Sequence, residues 1–273
     1  MKIIADMHTH SEYSHDSVCP IEDMCLAQIE KGTNVMAITD HADIFDYCNY
    51  DIYTPIKKAY ETVKKLNDKY KDKMVLLSGV EISEGFWFGE QSKQMRELCD
   101  YDVIIGSVHC VRYKDLTIAY SRIDFSKLSQ GEVFEYLDAY FDDVLAMLEM
   151  EDFDILAHLT CPLRYIMGKY KIEVDLKQYK EKINKILKII IEKEIALEIN
   201  TSSYEALNDF MPTKEIIEKY FNMGGRLITV GSDAHVTQNA SVHFGKAIEF
   251  IKKTGFEYLY YFKERKPIKY KIR

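Results

Sequence analysis

Short apolar, β-branched runs alternate with longer amphipathic stretches along nearly the whole chain. The runs are Lys2–Met7, Asn34–Thr39, Met74–Val80, Asp102–Ser107, Phe153–Ala157, Ala196–Asn200 and Leu227–Val230, with Tyr258–Phe262 a less regular eighth. Between them, apolar residues recur at the spacing of a helical turn in Pro20–Lys31, Thr54–Tyr70, Glu132–Met150, Asp175–Glu194, Thr213–Met223 and Ser241–Thr254, which predicts helices there. Strands that alternate with helices in this way pair in parallel through crossovers. The number of such units predicts an α/β fold, a closed or distorted β/α barrel in a single domain over residues 1–273. No Gly/Ser/Pro-rich linker divides the chain, and the Lys-rich tail Lys263–Arg273 is too short to be a domain.

The residues that follow each run carry the chemistry. His8 and His10 close the first, Asp40 and His41 the second, Glu81 the third, His109 the fourth, His158 the fifth, Asn200 the sixth, and Asp233 with His235 the seventh. In β/α barrels the carboxyl ends of the strands form the mouth where functional groups gather, so these side chains are expected to meet in space. Six of the eight histidines stand at such ends, a concentration that scattered core or surface histidines would not show. Period-two alternation in Asp6-Met7-His8-Thr9-His10 points Asp6, His8 and His10 to one face, toward the barrel interior. Imidazoles mixed with carboxylates, without a thiolate, suit zinc, manganese or iron, whereas magnesium favours oxygen alone.

Composition narrows the partners. The chain has 273 residues with 36 basic and 44 acidic side chains, a formal charge of −8 that repels a phosphate backbone, so nucleic acid is a poor partner. A small anionic substrate needs a site where metal ions or an arginine reverse the local field. The apolar stretches are too short to cross a bilayer and the N-terminus lacks signal-peptide anatomy, so a soluble cytoplasmic protein with no membrane partner is expected. The six cysteines, Cys19, Cys25, Cys48, Cys99, Cys110 and Cys161, form no CxxC and read as reduced, mostly buried thiols.

These residues resemble the polymerase and histidinol phosphatase (PHP) superfamily of metal-dependent phosphoesterases. The likeness spans the whole chain through His8-Thr9-His10 with Asp16, Thr39-Asp40-His41, Gly79-Val80-Glu81, Gly106-Ser107-Val108-His109, Ala157-His158, Glu198-Ile199-Asn200 and Gly231-Ser232-Asp233-Ala234-His235. It implies a distorted, TIM-like (β/α)7 barrel holding two or three divalent ions (Zn, Mn or Fe). By that likeness His8, His10, Glu81 and Asp233 hold one ion. Glu81, His109 and His158 hold a second with Glu81 bridging, and Asp16, His41 and His235 a third. His15 adjoins Asp16, and relatives use either residue type here; spacing from His10 favours Asp16, leaving His15 as a loop residue or a partner of the ligands. Asp40 and Asn200 are read either as groups that orient imidazoles or bound water or as turn chemistry at strand ends. His243 reads as a solvated or capping residue.

The reaction implied is attack of a metal-bound hydroxide on the phosphorus of a phosphomonoester. Arg164, on the loop after His158, matches a phosphate-binding arginine of the histidinol-phosphatase branch, with a surface arginine as the alternative. Either a third ion or a carboxyl such as Asp16 would serve the leaving alkoxide. Size and the C-terminal segment resemble the stand-alone histidinol phosphatases of histidine biosynthesis, which implies L-histidinol phosphate as substrate. One departure is that a second phosphate-binding arginine of that branch is absent where this chain reads Ser203-Tyr204-Glu205. Glu205 is then either a contact for a cationic part of the substrate or a solvent-facing glutamate. The competing readings are a PHP-type phosphoesterase for another small phosphomonoester or nucleotide, and a metal-binding module without activity. Trp87, in the aromatic loop after Glu81, is a candidate pocket wall or lid. Oligomeric state is not legible.

Overall fold

The structure, a computed structural model, describes residues 3–46 and 49–272; Cys48 lies outside them. Strands β1 (Ala5–Asp6), β2 (Val35–Ile38), β3 (His41–Asp43), β4 (Val75–Ser83), β5 (Val103–Ser107), β6 (Ile155–Leu156), β7 (Ala196–Asn200) and β8 (Ile228–Gly231) are interleaved with helices. These are α1 (Ile21–Glu30), α2 (Tyr53–Tyr70), α3 (Gly89–Arg96), α4 (Gln130–Met150), α5 (Lys180–Glu192), α6 (Tyr204–Leu207), α7 (Lys214–Asn222) and α8 (Phe244–Thr254). The strands pair in parallel in the order β1-β2-β4-β5-β6-β7-β8, and β3 extends the path of β2 along β4. Met7 N donates to Val230 O at 3.0 Å and His10 N to Ala234 O at 2.9 Å, which draws the two end strands together into a nearly closed seven-stranded barrel.

The reasons are local. Val35-Met36-Ala37-Ile38 is buried on both faces, as a parallel strand under helices must be. Helix α5 buries Ile183, Ile186, Leu187 and Ile190, one stripe at helical spacing, against the sheet and α4. Ser129 and Glu132 form a reciprocal capping box that starts α4.

Three expectations need correction. Tyr258–Phe262 is not a barrel strand: β9 (Tyr258–Lys263) pairs antiparallel with β10 (Lys266–Lys271) in a separate hairpin. Its turn sits against the barrel foot, where Glu264 N donates to Asp102 Oδ1 at 3.1 Å and Arg265 Nε to Asp154 Oδ2 at 2.5 Å. The Lys-rich tail thus supplies one strand of this hairpin. Helix α3 escaped the periodicity because only Ser92 and Met95 are buried on it. Asp6 does not join His8 and His10. The strand ends at Asp6, the alternation stops there, and its carboxylate accepts from Gln28 Nε2 of α1 at 2.6 Å and from Ser232 N at 2.9 Å. Burial, only partly offset by these bonds, pushes the Asp6 carboxyl up to about 6.

Cys19, Cys25, Cys99, Cys110 and Cys161 are free thiols. Among the described residues no helix is long and apolar enough to cross a membrane.

Candidate metal centre

All the strand-end groups meet at the carboxyl mouth of the barrel, with Glu81 in the middle. Its register partner on β3 is His41. Glu81 Oε1 lies 2.9 Å from His158 Nε2 and 3.2 Å from His109 Nε2. Its Oε2 lies 2.8 Å from His41 Nδ1, 3.3 Å from His8 Nε2 and 3.7 Å from His10 Nε2. Asp233 Oδ1 is 3.2 Å from His10 Nε2, and Asp16 Oδ2 is 3.1 Å from His235 Nε2 and 3.6 Å from His41 Nε2. His15 stays on the rim, more than half exposed, 3.6 Å from Asp43. Of the two neighbours, Asp16 is the one among the imidazoles.

The polar atoms at this centre fit a metal cluster. His8 Nε2, His10 Nε2, His41 Nδ1 and Glu81 Oε2 are buried without a hydrogen bond, a costly arrangement unless a cation takes their lone pairs. Four overlapping sets have ligand atoms close enough to share an ion: His8, His10 and Asp233; His8, Glu81 and His158; His41, Glu81 and His109; and His10, His41 and His235. Burial alone would raise the Glu81 carboxyl, yet His8, His109 and His41 hold it well below the usual range. Burial likewise opposes ionisation of Asp233, and His8 and His10 reverse it. His10 goes the other way: burial and the neighbouring His235 and His41 keep its imidazole neutral, the form that ligates.

The Nδ1 sides of the His8, His10, His109 and His235 rings are each anchored by a partner. His8 Nδ1 is 2.7 Å from Glu198 Oε1, and the other oxygen of Glu198 accepts from His158 N at 2.6 Å. His109 Nδ1 meets Asp43 Oδ1 at 3.0 Å, and His235 Nδ1 meets Asp233 O at 3.0 Å. Ser14 Oγ donates to Asp40 Oδ1 at 2.8 Å, so its oxygen accepts from His10 Nδ1 at 3.0 Å. Such partners fix tautomer and ring direction. Asp40 thus reaches the His10 imidazole through the Ser14 hydroxyl. Asn200 steadies Asp233, with Nδ2 3.4 Å from Asp233 Oδ2.

Sequence reasoning overlooked Glu198, Asp43 and Ser14. Two had a signal: Glu198 precedes Asn200 by two positions on β7, and Asp43 follows His41 by two on β3, so each shares a face with a residue already singled out.

Asp16 was expected as ligand or proton donor. Burial raises its carboxyl, but hydrogen bonds from His235 and His41 outweigh this and hold it far below the usual range.

Above the cluster opens a cavity of about 510 Å3, lined also by Tyr120, Arg164, Tyr165, Ser202, Glu205 and His243. Arg164 begins a wide helical turn, Arg164–Lys169, and its Nη1 donates to Ser202 Oγ at 3.3 Å. It is a cavity residue, not a surface one. Trp87 does not line this cavity; it packs edge-on against Phe45 and beneath the Arg112 guanidinium. His243 is not solvated either: its side chain is 14% exposed and makes no cap bond.

Comparison with known proteins gives a consistent picture. The model of the PHP domain family matches residues 6–202. A probable histidinol-phosphatase of Clostridium acetobutylicum is 30% identical over 98% of this chain and 100% of its own length. One of Thermotoga maritima is 32% identical over 93% of this chain and 94% of its own. The crystal structure of histidinol phosphate phosphatase from Lactococcus lactis, complexed with Zn, L-histidinol and phosphate, superposes with a TM-score of 0.79 at 25% identity, covering 97% of this chain and 98% of that one.

Proposed function

The chain belongs to the PHP domain family, and from that premise we propose that it is a metal-dependent phosphomonoesterase hydrolysing L-histidinol phosphate to L-histidinol and phosphate. The observation that carries this reading is the coincidence, in one cavity, of the Glu81-centred donor cluster and the Arg164 guanidinium. We take residues 1–273 as one catalytic unit acting in the cytoplasm, in histidine biosynthesis.

His8, His10, Glu81 and Asp233 would hold one ion, Glu81, His109 and His158 a second, and Asp16, His41 and His235 a third, with zinc, manganese or iron suited to the donors. Divalent ions, when bound, polarise phosphoryl oxygens and lower the pKa of water. The chain's own contribution is orientation and charge. Glu198, Asp43 and the Ser14–Asp40 pair lock the imidazoles, so that little reorganisation remains when substrate arrives. Arg164, steadied by Ser202, takes a phosphoryl oxygen and offsets the charge that builds there.

Arg164→Ala is expected to lower kcat/KM about 30- to 100-fold, the worth of a charged hydrogen bond to phosphate, with part of the activity returning in Arg164→Lys. Steady-state kinetics on the two variants measures this; a loss below about twofold would remove Arg164 from the phosphate site.

The function is tested by comparing kcat/KM for L-histidinol phosphate, nucleoside monophosphates and short oligonucleotides, before and after chelation and readdition of zinc or manganese. L-histidinol phosphate is expected to lead by about 100-fold or more, with turnover lost on chelation. A nucleotide that leads would overturn the substrate, and turnover surviving chelation would overturn the metal dependence.

A further inference from the structure

Four carboxylates line the active cavity: Asp16, Asp43, Glu205 and Asp233. Three are committed to the histidines of the cluster. Asp16 faces His235 and His41, Asp43 faces His109, and Asp233 faces His10. Glu205 is the exception. Its side chain is 81% exposed at the rim, and its partner is His243, whose Nε2 lies 3.0 Å from Glu205 Oε1.

That partnership is built. His243 adopts a left-handed backbone, φ 58°, a conformation that a non-glycine residue keeps only when its surroundings hold it there. It occupies the position before α8 without capping the helix; the imidazole instead turns to Glu205, its face covered by the Tyr204 ring with centroids 5.1 Å apart. The imidazole sets the direction of the Glu205 carboxylate at the rim. The short helix α6 that carries Glu205 packs on the turn that carries Arg164. The contact is close enough that a Cβ on Gly168 would lie 3.1 Å from Ala206 Cβ. A guanidinium and a carboxylate that faces none of the cluster's proposed ligands therefore line one cavity from two packed elements.

We infer that Glu205, held by His243, is the cation-binding arm of the site and selects phosphomonoesters that carry an ammonium group a few bonds from phosphorus. This deepens the L-histidinol phosphate reading and rests on it. Phosphate is bound deep, by Arg164 and the cluster, and the leaving group extends toward the rim, where the α-ammonium meets Glu205.

The test compares L-histidinol phosphate with 3-(imidazol-4-yl)propyl phosphate, the same ester with hydrogen in place of the amino group. Wild-type enzyme is expected to favour the amine-bearing ester. In Glu205→Gln the ratio of the two kcat/KM values should fall about 10- to 100-fold, chiefly through KM for the amine-bearing ester. His243→Ala should shift the same ratio in the same direction, also through KM. Absence of any preference in the wild type would overturn the L-histidinol phosphate reading itself. A wild-type preference that survives undiminished in Glu205→Gln would overturn this inference and leave that reading standing.

Discussion

Glu81→Gln is expected to abolish turnover, with kcat at least about 1000-fold below wild type even at saturating metal. Among the described residues no other side chain touches so much of the site: both carboxylate oxygens are shared among His8, His10, His41, His109 and His158. An amide has nearly the same shape, so packing is preserved and what disappears is the charge. In the variant the negative charge that His8, His41 and His109 face, and that would offset a bound cation, is gone. The variant should remain folded, retain fewer equivalents of metal, and fail to recover when metal is added. Kinetics and metal titration on the same preparation measure both; a kcat within tenfold of wild type would show that Glu81 does not bridge.

Gly231→Ala should also be damaging, although it adds one methyl group and removes nothing. A Cβ at that position would stand 2.6 Å from His8 Cβ and in collision with the Glu198 carboxylate. Gly231 is in register with Asn200, so the glycine opposes the segment of β7 that presents Glu198. The new methyl must push Glu198 off His8 Nδ1 and His158 N, two contacts that hold two proposed ligands at once. Loss of such an orienting partner lowers metal affinity or kcat about 10- to 100-fold, and overpacking of the strand adds about 1–3 kcal/mol of destabilisation. Glu198→Gln separates the two effects, since it weakens the contacts without crowding. Gly231→Ala should then show both a lower Tm and a lower kcat, and Glu198→Gln mainly the second. A Gly231→Ala enzyme with unchanged kcat would mean that Glu198 does not matter to the ligands.

What the sequence reveals about this site follows from where each residue sits. His8, His41, His109, His158 and His235 each come just after an apolar run, and parallel strands in a barrel all deliver that position to one mouth. Contacts between adjacent β/α units are encoded by spacing. Contacts made across the barrel are not: Glu198 reaches His8 from a strand distant in sequence, and only the closed sheet brings them together. His243 was misread for a related reason. An imidazole at the start of an amphipathic helix reads as a cap, and the left-handed backbone that turns it toward Glu205 leaves no trace in periodicity. Asp6 shows the opposite error, alternation carried past the end of a two-residue strand. The C-terminal run resembled a barrel strand because β9 does pack against the sheet, but its partner is the neighbouring lysine-rich segment.

The most direct measurement is elemental analysis of the purified protein, paired with the Glu81→Gln variant. Four overlapping donor sets, two of which share Glu81, predict two or three equivalents of zinc, manganese or iron per chain in the wild type, and fewer in the variant. A wild-type protein that emerges without metal and takes up none when zinc, manganese or iron is supplied would contradict the account at its centre.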